Sequence, residues 1–385
     1  MQDKRVEDLL KQQVNEIINE QQSTAEQAIH PEPQKVKSVK KKKHKFLKVS
    51  GLIVAVLLIT IVLVIGTKGG RGIVYRAAGN FIYSNINNED IIKEYLEEDD
   101  NNQHADAARQ EDYVTNYLIF GIEEFGGASN TDSMMIATIN TKDDSIKLTS
   151  LLRDSYVEIP DHKANKLNSA YAKGGAKMLV DTIEQNYKVQ IDAYASVNFK
   201  SFEKIVDLLG SVTIELGKEE AEYLNTTNYI SKKANRNVKA GVNHLNGNQV
   251  MGYCRVRKVK TLGGANNDYG RIVRQQRALK AIFDSYKSTD VLKLLGITKE
   301  CLGYVNTNLT ESQIESAMED IVENRIKTLE TFRVPVDGAF DDPQKYNGIG
   351  YPLILDWDVN RVELYKFIYN DTEEEAKAAL AAQKE

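Results

Sequence analysis

The chain has 385 residues, 42% of them hydrophobic, with 50 Lys and Arg against 55 Asp and Glu and a formal net charge of −5. That is enough apolar content for a globular core, and the weakly acidic balance argues against a chain built to coat nucleic acid. Two cysteines, Cys254 and Cys301, make no disulfide framework, and His30, His44, His104, His162 and His244 show no zinc-type spacing.

Near the N-terminus, Val6, Leu9, Leu10, Val14, Ile17 and Ile18 recur at three- and four-residue steps, which predicts a short amphipathic helix ended by Pro31 and Pro33. A lysine cluster follows, from Lys35 through Lys40, Lys41, Lys42 and Lys43 to Lys48. It abuts an apolar run over 47–67 in which no charge occurs between Val49 and Ile65. Such a run matches the ~17–25 residues that cross a bilayer as a helix. A cleaved signal peptide would lie nearer the N-terminus and end in small residues. The lysine excess on one flank puts residues 1–46 in the cytoplasm and the rest outside, as a single-pass protein of the cell membrane. Residues 68–112 then read as an acidic extracellular spacer, with an interrupted helix around Asp90–Leu96. Its acids lack the glycine and ligand order of a calcium loop.

From Tyr113 onward the composition is that of a folded domain. Tyr117–Ile122, Ser133–Ile139 and Ile146–Leu151 read as strands of a largely buried sheet, Gly175–Asn186 and Phe199–Leu209 as helices, the second closed by Gly210. Strands are expected again at Ser211–Leu216 and Val250–Val256, followed by a basic helix from Arg271 to Tyr286. Asp290–Leu295, Ser312–Arg325 and Asn360–Tyr369 read as helices and Thr328–Arg333 as a strand. This alternation predicts an α/β domain with helices on both faces of the sheet, over residues 113–370, with 371–385 as a C-terminal tail.

Three groups of residues in this domain bear on chemistry. On the expected strand, Arg255 and Arg257 point the same way, while Arg271, Arg274 and Gln275 share one helix face. Guanidinium groups are planar forks that grip phosphate bidentately, so the set reads as a diphosphate clamp; two solvated charged faces are the plainer alternative. Arg153 and Asp154 follow a strand, where open α/β sheets place their ligand crevice, though neighbours of opposite charge also form simple ion pairs. Glu123 follows one expected strand and Asp132 precedes the next. On adjacent strands they share a hard cation such as Mg2+, unless they only cap turns. Cys254, without a catalytic partner, reads as a small buried filler.

Together these residues resemble the LytR-CpsA-Psr family of cell-wall glycopolymer transferases. The resemblance runs in order through Asn116–Leu118, Thr131-Asp132-Ser133-Met134-Met135, Arg153-Asp154 and Asn165-Lys166-Leu167-Asn168-Ser169-Ala170-Tyr171 with Gly174-Gly175. It continues through His244-Leu245-Asn246-Gly247, Arg255-Val256-Arg257 and Asp268-Tyr269-Gly270-Arg271 with Arg274-Gln275-Gln276. It is densest from Tyr113 to Tyr286.

The resemblance implies a central mixed sheet and a membrane-anchored extracellular phosphotransferase. Such an enzyme moves a glycan phosphate from an undecaprenyl-pyrophosphate carrier to peptidoglycan. A second reading, prompted by the changed metal-side residues Glu123 and Asn130, is an envelope protein or regulator that binds the polyprenyl pyrophosphate without efficient transfer. By the same resemblance Arg153, Arg255, Arg257, Arg271, Arg274 and Gln275 contact the pyrophosphate, Asp132 and Glu123 hold Mg2+ (or Mn2+), Asp268 organises the site as base or arginine orienter, and Asp154 positions Arg153. The lipid is expected in an apolar tunnel beside the sheet. Two residues depart from the pattern: Glu123 replaces an aspartate, and Asn130 stands where many members have arginine.

Overall fold

The computed structural model of the protein describes residues 68–84, 108–125, 128–287, 297, 300, 303–323 and 328–383. The segment from Val6 to Ile18, the apolar run over 47–67 and the helices expected at Asp90–Leu96 and Asp290–Leu295 lie outside the described residues. Among the described residues no helix is long and apolar enough to cross a membrane. The chain divides into two compact units, Met1–Phe81 and Ile82–Glu385. Helix α1, Lys68–Tyr83, covers a stretch expected within the acidic spacer. Its sequence contains no acidic residue, so the spacer character begins only after it.

The second unit runs through β1 (Val114–Phe125), β2 (Ala128–Asn140), β3 (Ser145–Leu151), α2 (Tyr171–Tyr187), β4 (Ala193–Asn198) and α3 (Phe199–Leu209). It continues with β5 (Val212–Leu216), α4 (Lys218–Thr226), β6 (Gly241–Leu245), α5 (Gly247–Arg255) and α6 (Asn267–Lys287). The last elements are β7 (Asn306–Thr307), α7 (Glu311–Glu323), β8 (Thr328–Val334), α8 (Trp357–Tyr369) and α9 (Glu373–Ala382), with short two-residue strands between them.

Among the described residues six strands form one mixed sheet in the order β8-β3-β2-β1-β4-β7. β1, β2 and β3 are a meander, with Phe120 opposite Met134 and Ile136 opposite Thr149. β4 and β8 join it in parallel, beside β1 and β3 respectively. Alternate residues of β1 and β2 point to opposite faces. Leu118, Phe120, Met134 and Ile136 face α2 and α8, where they pack with Leu179, Ile183, Leu364 and Ile368. Full burial of each such side chain contributes about 1.5–3 kcal/mol. The other face looks toward α3, α5 and α6, which share a second core around Val206, Val250, Tyr253 and Ala278.

The α/β reading with helices on both faces therefore describes the observed architecture. One element is corrected: the strand expected at Val250–Val256 is helix α5, Gly247–Arg255. Asn246 Oδ1 accepts from Gln249 N and Gln249 Oε1 accepts from Asn246 N, both at 3.0 Å, a reciprocal cap that starts a helix. Nearly every residue of α5 is buried, which hides helical periodicity in the sequence. The segment after residue 370, read as a tail, folds as α9, with Ala376 fully buried in the main core.

At the other end of this unit, Arg109 forms an ion pair with Asp371 and lies 3.9 Å over the ring of Tyr369 and 5.1 Å over that of Tyr365. The start of the domain is thus held against α8 and the turn that follows it.

Candidate active site

Between the second face of the sheet and the layer of α3, α5 and α6 lies a cavity of about 480 Å³. Ile119 and Met135 of the sheet, Phe202 and Ile205 of α3, Met251 of α5 and Leu279 and Ile282 of α6 make its wall apolar. Asp132, Ser133, Arg153, Arg255, Arg257, Arg271 and Gln275 also line it.

Asp132 reaches the cavity through a bulge. Gly121 pairs with Ser133 but Ile122 pairs with Thr131, so Asp132 is the extra residue of β2. In a regular strand Asp132 and Ser133 would point to opposite faces; the bulge turns both toward the cavity, while Thr131 stays fully buried. Arg153, just past the end of β3, donates from Nη1 to Asp132 Oδ1. Its Nε stands 3.4 Å from Asp154 Oδ2, and Asp154 Oδ1 also meets Lys166 Nζ at 2.8 Å. Burial disfavours the Arg153 charge, but Asp132 and Asp154 outweigh it and hold its pKa above the ordinary value.

Arg255 is the last residue of α5, and Val256 leaves the helix in extended conformation, placing Arg257 in the following turn. Both arginines line the cavity, so they converge by helix termination and not by strand alternation. Arg255 lies 4.9 Å over the ring of Phe199. On α6, Arg271, Gln275, Leu279 and Ile282 form a stripe at helical spacing whose first two members are polar and last two apolar. Ser133 Oγ and Gln275 Oε1 are 3.3 Å apart. Asp268 Oδ1 stands 2.8 Å from Arg271 Nη2 and 3.7 Å from Arg257 Nη1, linking two arginines at the rim. Burial lowers the Arg271 pKa, with Asp268 acting in the opposite direction.

Arg274 is placed elsewhere. Fully buried, it donates from Nε to Glu220 Oε1 at 2.8 Å, from Nη1 to Val256 O at 3.1 Å and from Nη2 to Val259 O at 2.9 Å. It turns away from the cavity because α6 meets the α5 turn on that flank. Its expected contact with pyrophosphate is corrected to a buried ion pair. The sequence reading missed Glu220; its glutamate-rich helix start, Lys218-Glu219-Glu220, was the available signal.

Cys254 lines the cavity wall, and burial pushes its thiol up to about 12, which fits a filler and not a nucleophile. Among the described residues no group of three or more His, Cys, Asp or Glu is placed to hold a metal by itself. Asp132 offers oxygen ligands beside a cluster of arginines, a donor arrangement that fits Mg2+ completed by phosphate and water. Glu123 pairs through its backbone with Asn130; both side chains lie outside what the structure describes.

Comparison with known proteins adds to this geometry. The Staphylococcus aureus (strain Mu50) protein called regulatory protein MsrR is 30% identical over 256 residues, covering 66% of this chain and 74% of its own. The Bacillus anthracis protein called polyisoprenyl-teichoic acid–peptidoglycan teichoic acid transferase TagU is 32% identical over 281 residues, covering 71% of this chain and 86% of its own. Among solved structures, TagT bound to LIIa-WTA superposes with a TM-score of 0.55 at 23% identity, covering 70% of this chain and 98% of that one. The crystal structure of Bacillus subtilis TagV gives 0.51 at 23% identity, covering 68% and 99%. At these identities the structural likeness is one of fold. The family description LytR_cpsA_psr matches residues 80–356, and this chain belongs to that family.

Proposed function

We propose that this protein is a membrane-anchored extracellular phosphotransferase that moves a glycan phosphate from an undecaprenyl-pyrophosphate carrier to a hydroxyl of peptidoglycan. The observation that carries the reading is the meeting of Arg153, Arg255, Arg257, Arg271 and Gln275 with Asp132 at the polar end of a cavity whose remaining wall is apolar. Around it, four guanidinium groups face the two carboxylates of Asp132 and Asp268, a surplus of two positive charges. A lipid diphosphate glycoside carries two negative charges and one long hydrocarbon chain, matching both ends of the cavity. The apolar run over 47–67 would hold the domain at the surface where such a lipid resides.

Phosphoryl transfer depends mainly on positioning and charge neutralisation. In the proposed reaction the acceptor oxygen bonds to the phosphorus next to the sugar. The anhydride P–O bond breaks, its electron pair leaving with the lipid phosphate, and the hydroxyl proton passes to the half-exposed carboxylate of Asp268. The arginines hold the diphosphate and take up charge on the departing phosphate. Bound Mg2+, or Mn2+, held by Asp132, would add neutralisation of the phosphoryl oxygens. No separate nucleotide is required, because the carrier's own anhydride drives transfer.

A transfer assay with a lipid-pyrophosphate glycan and peptidoglycan, with and without Mg2+, tests this reading on the natural protein and on Arg255→Ala. Transfer that depends on Arg255 is expected. Binding of the donor without any transfer would instead favour a carrier-binding role, and transfer indifferent to Arg255→Ala would remove the clamp.

A further inference from the structure

We infer that Glu220 and Arg274 are positioning residues that hold the turn carrying Arg257, and with it the end of α5 at Arg255, in register with Arg271. The inference rests on the proposed diphosphate clamp. Arg257 is 43% exposed at its side chain and meets Asp268 only at 3.7 Å, a contact too long to place it firmly. Its neighbours' backbone carbonyls do: Arg274 Nη1 grips Val256 O and Nη2 grips Val259 O, one on each side of Arg257. The third arm of the same guanidinium, Nε, is anchored on Glu220 Oε1 at 2.8 Å. The other oxygen of Glu220 accepts from Gly217 N at 2.9 Å, which fixes the carboxylate to the start of α4.

One planar group thereby joins α4, the 256–259 turn and α6. A lysine, with a compact head on a flexible stem, cannot satisfy three partners in one plane. Gly270 leaves room for the arrangement: a Cβ there would meet Ala265 O at 2.9 Å and Arg274 Nη1 at 3.1 Å.

Burying this ion pair is a poor route to stability alone, because a matched apolar pair commonly serves as well. An apolar pair would fill the space but could not direct two carbonyls. The distinctive consequence of Arg274 is orientation of the turn. Displacement of a phosphate-binding group by about 1 Å can cost ~10²-fold in rate, so small shifts of Arg257 are expected to matter.

The test uses the full chain in detergent, with inorganic pyrophosphate as the probe and thermal unfolding to establish that each variant is folded. Two forms are compared with the natural protein: Arg274→Lys, and the double variant Glu220→Gln with Arg274→Met, which leaves no uncompensated buried charge. We expect folded variants whose Kd for pyrophosphate rises by about tenfold or more. Arg257→Ala should add little further loss in the Arg274→Lys background, because both act on the same contact. A merely structural role lowers the unfolding temperature but leaves Kd unchanged in whichever variant folds, and that result overturns the inference. Failure of the natural protein to bind pyrophosphate removes the clamp reading itself, and the positioning role with it.

Discussion

Asp132 accepts a hydrogen bond from Arg153, a contact that ties the bulge of β2 to the turn after β3 at the mouth of the cavity. An acid that arrives by an irregularity in one strand is thereby fixed by a base that arrives by the ending of another. The pair sets a carboxylate and a guanidinium side by side where they line the cavity.

For Asp132→Asn, the amide keeps a hydrogen-bond acceptor for Arg153 but loses the charge. Transfer is expected to fall by ~10²-fold or more, with a higher Mg2+ concentration needed for half the maximal rate. Initial rates over a Mg2+ series check this. A variant matching the natural protein at every Mg2+ concentration would exclude Asp132 from the site.

For Gly270→Ala, the added methyl meets Ala265 O at 2.9 Å, closer than side-chain carbons normally approach a backbone oxygen. The start of α6 must shift, and a loss of about 1–3 kcal/mol in unfolding free energy is expected. Urea unfolding at neutral pH measures it; an unchanged midpoint would show that α6 can relax without strain.

Glu184 gives a pH dependence. Burial, against the Ile191 N–H donating to its Oε1 at 2.7 Å and with Asp181 and Asp192 nearby, raises its pKa from 4.5 to about 7. A raised carboxylate pKa means that the folded state binds the proton more tightly than the unfolded one. Its contribution is complete below pH 4.5 and is lost as pH rises toward about 7. The loss is on the order of 3 kcal/mol. Glu184→Gln should therefore gain stability relative to the natural protein between those limits, as read from urea unfolding at acidic and mildly alkaline pH. A difference that stays constant across that range would show that Glu184 titrates as an ordinary glutamate.

Leu279 lies past Gln275 on the stripe of α6 that lines the cavity. Leu279→Trp would fill apolar space without touching the arginines. Affinity for a long-chain polyprenyl donor is expected to drop about tenfold or more while inorganic pyrophosphate binds as before, since several buried methylenes are each worth ~0.8 kcal/mol. Competition between the two ligands, measured calorimetrically, distinguishes this from a general loss of folding.

Much of the fold was legible where local signals agreed. The strands within 114–151 are β-branched and apolar runs between turn residues, and α3 is bounded by Asn198, which accepts from Ser201 N at 2.9 Å, and by Gly210, whose φ of 101° suits glycine. Helix α5 was not legible from its apolar residues, because burial on all sides erases the polar stripe that marks a helix. The signal that survived was the cap, Asn246 followed by Gln249. The sequence singled out the arginines that the fold brings to one cavity, but spacing alone could not separate Arg271 from Arg274. They lie on neighbouring flanks of one helix, and only the position of the α5 turn determines that one faces the cavity and the other Glu220.

The clasp of Arg109 on Asp371 and the rings of Tyr365 and Tyr369 makes the second unit depend on both of its ends. The ion pair and the two aromatic faces join a residue that precedes the first strand of the sheet to α8 and to the turn that follows it. The meander of β1, β2 and β3, with Asp132 in the bulge of β2 and Arg153 just past β3, comes between those two ends in the chain. A chain cut short before Asp371 would therefore lose the partner of the segment that leads into β1, although no strand of the sheet would be removed.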